Sequence, residues 1–236
     1  MRSQHQFAQL ITTLRQLLLV IPFLAVSFVA NADEHGDELN WEGLKPLEGT
    51  DTAVAYIDPD ADFSVFKRVG ILRPYVAFKS NWLRDQNRSR AQNVRASDVE
   101  RIKEDVADLL VDVFTEQLEA AGYEVVNYPD EDVLLLRPAI IDLDITAPDV
   151  RSATRSRSYA AGAGAATLFL ELFDSASGDL LGRAIDRRVT RESHGFMMQA
   201  NRVTNRAAAR REFRVWADRL VAFLDKHYVE PTAAEE

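Results

Sequence analysis

Histidine, cysteine and paired carboxylates are the side chains most able to do chemistry, and this chain has few of them. It contains no cysteine and four histidines, His5, His35, His194 and His227. Thiolate catalysis, Fe–S clusters and cysteine-ligated zinc are therefore excluded. The histidines are far apart in sequence, and no HExxH pair occurs. No Gly-x-Ser-x-Gly elbow and no phosphate loop ending in Gly-Lys-Ser/Thr is present. Only His194 has a setting in which a Ser-His-Asp arrangement is worth considering. His227 sits where a helix end favours a cation.

Two acidic groups invite a metal or acid–base reading. Asp58, Asp60 and Asp62 have the spacing of a calcium loop, but position six, counted from Asp58, is Phe63 where that loop needs glycine. The residues read instead as a solvated turn. Asp142 and Asp144 alternate with Ile141, Leu143 and Ile145, so both carboxylates point to the wet face of a strand. Gly162-x-Gly164 lacks the third glycine of a dinucleotide loop and precedes a strand, so that reading also fails. Nothing in the sequence calls for a cofactor or a metal.

Arginine is the remaining chemistry. Between Arg151 and Val215 there are twelve arginines and six acidic residues, a surplus of +6 in an acidic chain. One explanation is internal pairing with an acidic helix. The sharper one is that Arg187, Arg188 and Arg191 bind an anionic partner, such as a phosphorylated component, because guanidinium groups match phosphate and carboxylate geometry.

The elements that must carry these arginines can be read in order. Leu17–Ala30 is an unbroken low-polarity run preceded by Arg2 and Arg15 and closed by Ala30-Asn31-Ala32, the pattern of a secretory signal peptide spanning residues 1–32. The run is shorter than the roughly 20 residues of a membrane span and contains Pro22. Cleavage after Ala32 would leave 26 basic and 37 acidic residues, a net charge of −11. That balance argues against general nucleic-acid binding. Residues 33–62 read as an acidic arm with Trp41 and Leu44 as docking points, 63–228 as a single domain, and 229–236 as a flexible tail.

Lys67–Phe78 reads as a strand interrupted by Pro74. Lys79–Ala96 reads as a long loop. Ser97 and Glu100 form a capping box, and apolar residues recur at helical spacing from Val99 to Leu118 until Gly122 ends the helix. A strand at Tyr123–Tyr128 follows, so the unit is βαβ with parallel strands. Val133–Thr146 is a third strand. Thr167–Glu192 is a hairpin about the turn Ser175–Asp179, in the register Phe173–Leu181, Glu171–Arg183, Phe169–Ile185 and Thr167–Arg187. That register gives a face of Leu168, Leu170 and Leu172 for helices to cover, and an opposite face mixing apolar and charged residues. Thr204 is a candidate N-cap for a last helix running to Tyr228.

The expected fold class is α+β: a mixed, mostly antiparallel sheet of about five strands with two long helices on one face, in the order β-α-β-β-β-β-α. The stretches Ala61–Val69, Leu118–Tyr123 and Leu170–Asp174 through Gly178 and Leu181 resemble a bacterial family of envelope lipoproteins, domain of unknown function 3313. The resemblance runs from about Trp41 to Tyr228. It implies a Gram-negative cell envelope and supplies no catalytic residues. The lipid-carrying cysteine of many relatives is missing here, so the resemblance carries no membrane anchor. The expected function is that of an exported periplasmic binding or assembly accessory without catalysis, partnered by an envelope protein or an anionic envelope component. The alternative is a hydrolase-like enzyme using the polar loops near His194.

Overall fold

The computed structural model describes residues 43–89, 94–145, 158–160, 164–190, 198–200 and 202–227. All of them lie in the compact unit 40–236. The strands are β1 (Lys45–Pro46), β2 (Val54–Ile57), β3 (Arg68–Ile71), β4 (Tyr75–Phe78), β5 (Glu124–Val126), β6 (Val133–Ile145), β7 (Ser158–Ala160), β8 (Gly164–Asp174), β9 (Leu180–Thr190) and β10 (Met198–Ala200). The helices are α1 (Trp82–Ser89), α2 (Ala96–Ala120) and α3 (Arg202–His227), with a 3-10 turn at Phe63–Val65.

Eight strands form one mixed sheet in the order β1-β2-β9-β8-β6-β3-β5, with β4 also paired to β6. The pairs β3–β5, β3–β6 and β4–β6 are parallel and the rest antiparallel. β7 and β10 make a separate antiparallel ribbon. The α+β class is as expected, but the sheet has more than five strands. Val54–Ile57, read as part of an acidic arm, is a strand paired with β9. Its four residues sit in an acidic stretch, too short for alternation to stand out.

Three local expectations need correction. The stretch read as a loop contains α1, anchored by buried Trp82, which stacks on Phe78 at 4.0 Å and donates its indole N–H to Ile145 O. Helix α2 starts at Ala96, and the reciprocal cap is the Asp98 carboxylate accepting from Arg95 N at 3.1 Å, where Glu100 was expected. A carboxylate at the third helical position satisfies an orphan N–H and meets the positive end of the helix dipole. The last helix begins at Arg202, before Thr204.

The end of α2 follows the sequence. Gly122 is left-handed at φ +95°, and Tyr123 N donates to Leu118 O while Gly122 N donates to Glu119 O, closing a Schellman motif. The chain then enters β5 parallel to β3. Pro74 splits the expected long strand into β3 and β4, both paired with β6. Arg68 ties this corner by bonding Asp130, Asp132 and Tyr128. Its hydrogen bond holds the Asp130 carboxyl below the usual carboxylate range.

The hairpin register is as expected from Leu172–Gly182 to Thr167–Arg187. Nearer the turn Phe173 pairs with Leu180, not Leu181. Leu181 is the extra residue of a bulge and is buried in the core cluster. Leu168, Leu170 and Leu172 share the core with Ile102, Leu110, Phe114 and Leu118 of α2 and Phe213, Trp216 and Leu220 of α3. Strand β6 carries a second bulge, at Asp142, whose φ is +52°. Ile141 therefore stands opposite Thr167 on the outer face while Leu143 belongs to the core, so the expected shared face of Ile141 and Leu143 does not form.

Gly164 marks a close approach of β8 to that bulge. A Cβ there would lie 1.9 Å from Asp144 O, and its φ is +143°. Gly164→Ala is expected to cost about 3 kcal/mol or more, since backbone has to move. Gly178→Ala, in a hairpin turn with open space around it and φ +80°, should cost only about 1–2 kcal/mol. Urea unfolding of the two variants checks the difference.

Candidate functional site

Side chains alternate along a strand, so burying the leucines of β8 sends Thr167, Phe169, Glu171 and Phe173 to the other side. No helix among the described residues covers that face. At its centre three charged residues lie in one row across three strands. Glu171 is paired with Arg183 of β9 and with Arg137 of β6. Arg137 bonds one carboxylate oxygen through Nε and Nη2, at 2.6 and 2.5 Å. Arg183 bonds the other through Nη2 at 2.6 Å and Nε at 3.1 Å.

The row is unequally wetted. The Glu171 side chain is 5% exposed, Arg183 10% and Arg137 55%. Arg137 lies over the ring of Phe173 at 4.6 Å and Arg183 over Phe169 at 5.4 Å. The stacked rings and guanidinium planes bury a carboxylate on a face that no helix among the described residues covers. Both oxygens are engaged, so Glu171 holds the two arginines in place. What the arrangement offers outward is a rigid platform of fixed cations and half-buried aromatic and branched side chains.

The arginines singled out from sequence do not form one cluster. Arg187 is exposed on the outer face, opposite Thr167, and has no ion pair among the described residues. Arg188, its neighbour, turns to the helix side and bonds Glu212 of α3 at 2.8 Å. Consecutive strand residues must diverge in this way. Arg191, Arg151, Arg155, Arg157 and His194 lie outside the described residues. Part of the arginine surplus pairs with the acidic helix: Arg206 meets Asp112 at 3.5 Å, and Arg210 and Arg214 both meet Glu116. These pairs are exposed and individually weak.

The other candidates have structural roles. Asp62 accepts from the Ser64 hydroxyl and N–H, which hold its carboxyl below the ordinary range, and Asp58 accepts from Asp60 N. His227 donates from Nδ1 to Phe223 O at 2.7 Å and packs on Phe223 and Phe63. Asp144 lies 3.4 Å from Lys79, and Asp142 is exposed. Among the described residues no three acidic or histidine side chains are placed to hold a metal.

Arg137 was missed from the sequence. Its signal was a lone charge inside the apolar run from Val133 to Ile141, which only the β6 register turns into a contact. Two clefts on the helix side were also not foreseen. One of about 130 Å³ lies between α2, α3 and the ends of β6 and β8. Another of about 230 Å³ lies between α3 and the strands β8, β9 and β2.

The family described as "Protein of unknown function (DUF3313)" matches residues 37–220. No curated protein matches the sequence. Solved structures with distant likeness include a PelC dodecamer from Paraburkholderia phytofirmans, at 11% identity and a TM-score of 0.36, covering 68% of this chain and 91% of that one. A DUF330-family protein from Xanthomonas campestris has 12% identity and a TM-score of 0.42, covering 70% and 86%. A minor lipoprotein from Acinetobacter baumannii has 12% identity and a TM-score of 0.33, covering 69% and 94%.

The central row generates a stability test. Glu171→Ala removes a shared counter-charge from Arg183, only 10% exposed, and from Arg137, and is expected to cost about 3 kcal/mol. Replacing the buried pair together, Glu171→Leu with Arg183→Met, should restore stability to within about 1 kcal/mol of the parent. Equilibrium denaturation of single and double variants measures both.

Proposed function

The chain belongs to the DUF3313 family, and from that premise we propose that it is an exported envelope protein that works by binding and not by catalysis. The observation that carries this reading is the sheet face left uncovered by the described helices, with its locked Arg183–Glu171–Arg137 row. Surfaces that meet other proteins are enriched in arginine and aromatic residues and poor in lysine at their centres. This face has Arg137, Arg183, Arg187, Phe169 and Phe173, and β6, β8 and β9 contain no lysine. Its ionisable groups sum to a positive charge in an acidic protein, which favours an anionic partner. Either an acidic envelope protein or an anionic envelope component fits that charge.

Export rests on the apolar run Leu17–Ala30 and its small-residue exit. Cleavage after Ala32 places the mature protein in the periplasm. Its N-terminus, read by mass spectrometry from the periplasmic fraction, should be Asp33. A chain retaining Met1 there would contradict the export reading.

A photo-crosslinking residue placed at Ala139 or Arg187, on the sheet face, should give discrete adducts in intact cells. The same residue at Asp108, on the solvent side of α2, should not. Arg137→Glu with Arg187→Glu is expected to lower the yield from position 139 by about tenfold, equivalent to about 1.4 kcal/mol. Equal labelling from both sides of the molecule would remove the sheet face from consideration.

A further inference from the structure

The larger cleft lies on the opposite side of the same strands. Its floor is Leu168, Leu170 and Leu172 of β8 beside Gly182 and Ala184 of β9. Large residues on one strand next to small ones on its neighbour leave a trough. Helix α3 bridges it with Trp216, Leu220 and Phe223. The three leucines stand at alternate positions of an extended strand, so the trough runs for about 14 Å. Its volume is about 230 Å³. An apolar floor of that length suits an extended alkyl chain.

The charged groups around the cleft are unequally engaged. Asp186 is buried and accepts from Ala53 N at 3.1 Å, Trp216 Nε1 at 2.8 Å and Arg219 Nη1 at 2.7 Å. That tie joins the residue before β2 to β9 and α3 and occupies Arg219. Arg183 is bonded to Glu171 on the far face. His227 is bonded to Phe223 O. Asp51 stands across the mouth on the β1–β2 connection, and Lys226 on α3 has no ion pair among the described residues. Lys226 is in the last turn of α3, so its ammonium group lies on the α3 side of the cleft.

We infer that the cleft between α3 and the β8–β9 floor binds a single-chain aliphatic amphiphile, its chain along Leu168, Leu170 and Leu172 and its anionic head group at Lys226. Each buried methylene contributes to binding through apolar area removed from water, and the flexible Lys226 stem lets its ammonium reach a head group at the mouth. This site is separate from the proposed partner surface, because side chains of one strand reach only one face at a time.

The test uses the purified protein with N-phenyl-1-naphthylamine as fluorescent probe. Decanoate, decanol and decyltrimethylammonium compete for it, all below their micellar concentrations. Decanoate should displace the probe at about tenfold lower concentration than the other two. Lys226→Ala, at an exposed position, should bring decanoate to the level of decanol and leave decanol unchanged. Ala184→Phe should fill the trough and abolish binding of all three, with circular dichroism confirming the fold. Failure of every chain to displace the probe, or equal displacement whatever the head group, would overturn the inference. So would undiminished binding in a folded Ala184→Phe protein.

Discussion

Strand β8 alternates with period two, and that alternation sets most of the rest. Once Leu168, Leu170 and Leu172 are under the helices, Phe169, Glu171 and Phe173 have nowhere to go but the opposite face. A one-residue slip would put Glu171 among the leucines and a carboxylate against the apolar side of α3. The penalty for an unpaired buried charge is several kcal/mol, so the register is held from both faces. The same alternation separates Arg187 from Arg188 and makes them members of different surfaces, one open and one bonded to α3.

Burying Glu171 on the side without helices needs an explanation, because the sheet alone does not exclude water there. Two guanidinium groups and two phenyl rings do it together. Arginine suits this task better than lysine, since its planar group is weakly hydrated and can stack on a ring while donating in the plane to a carboxylate. The result contributes little to net stability if the ions are compared with well-packed apolar residues. Its effect is positional. Arg137 and Arg183 are held flat and in register across three strands, so a partner docking on the proposed face would meet cations that have already lost their rotamer freedom, and binding would not be opposed by that entropy.

Much of this was readable from sequence where patterns are long. The apolar stripe of α2, the Gly122 cap, the parallel entry to β5 and most of the hairpin register follow from periodicity and turn chemistry. What escaped was short or depended on distant chain. β2 is recognisable only as the partner of β9. Helix α1 depends on Trp82 reaching Phe78 and Ile145. The bulge at Asp142 breaks an alternation that looked regular, because a left-handed residue changes parity without changing the hydrophobic pattern. For the site, Glu171 opposite Arg183 was legible from the hairpin alone. Arg137 was not, since its place depends on how β6 lies beside β8.

The distribution of charge follows from the same geometry. α2 presents acidic residues to solvent, and α3 meets them with Arg206, Arg210 and Arg214. Arg188 is engaged by Glu212, and Arg183 by Glu171. Of the arginines first grouped by sequence and now placed, Arg211 on α3 and Arg187 have no ion pair among the described residues, and Arg187 shares the outer face with half-exposed Arg137 of β6. Two isolated surface cations would be a weak basis for affinity in physiological salt. Set in a half-buried aromatic platform on the face proposed for docking, they would act through charge complementarity on partner choice more than on strength. The outer face is thus better suited to choosing a partner than to holding one by charge alone, and its affinity has to come from the apolar area around Phe169, Phe173 and Ile185.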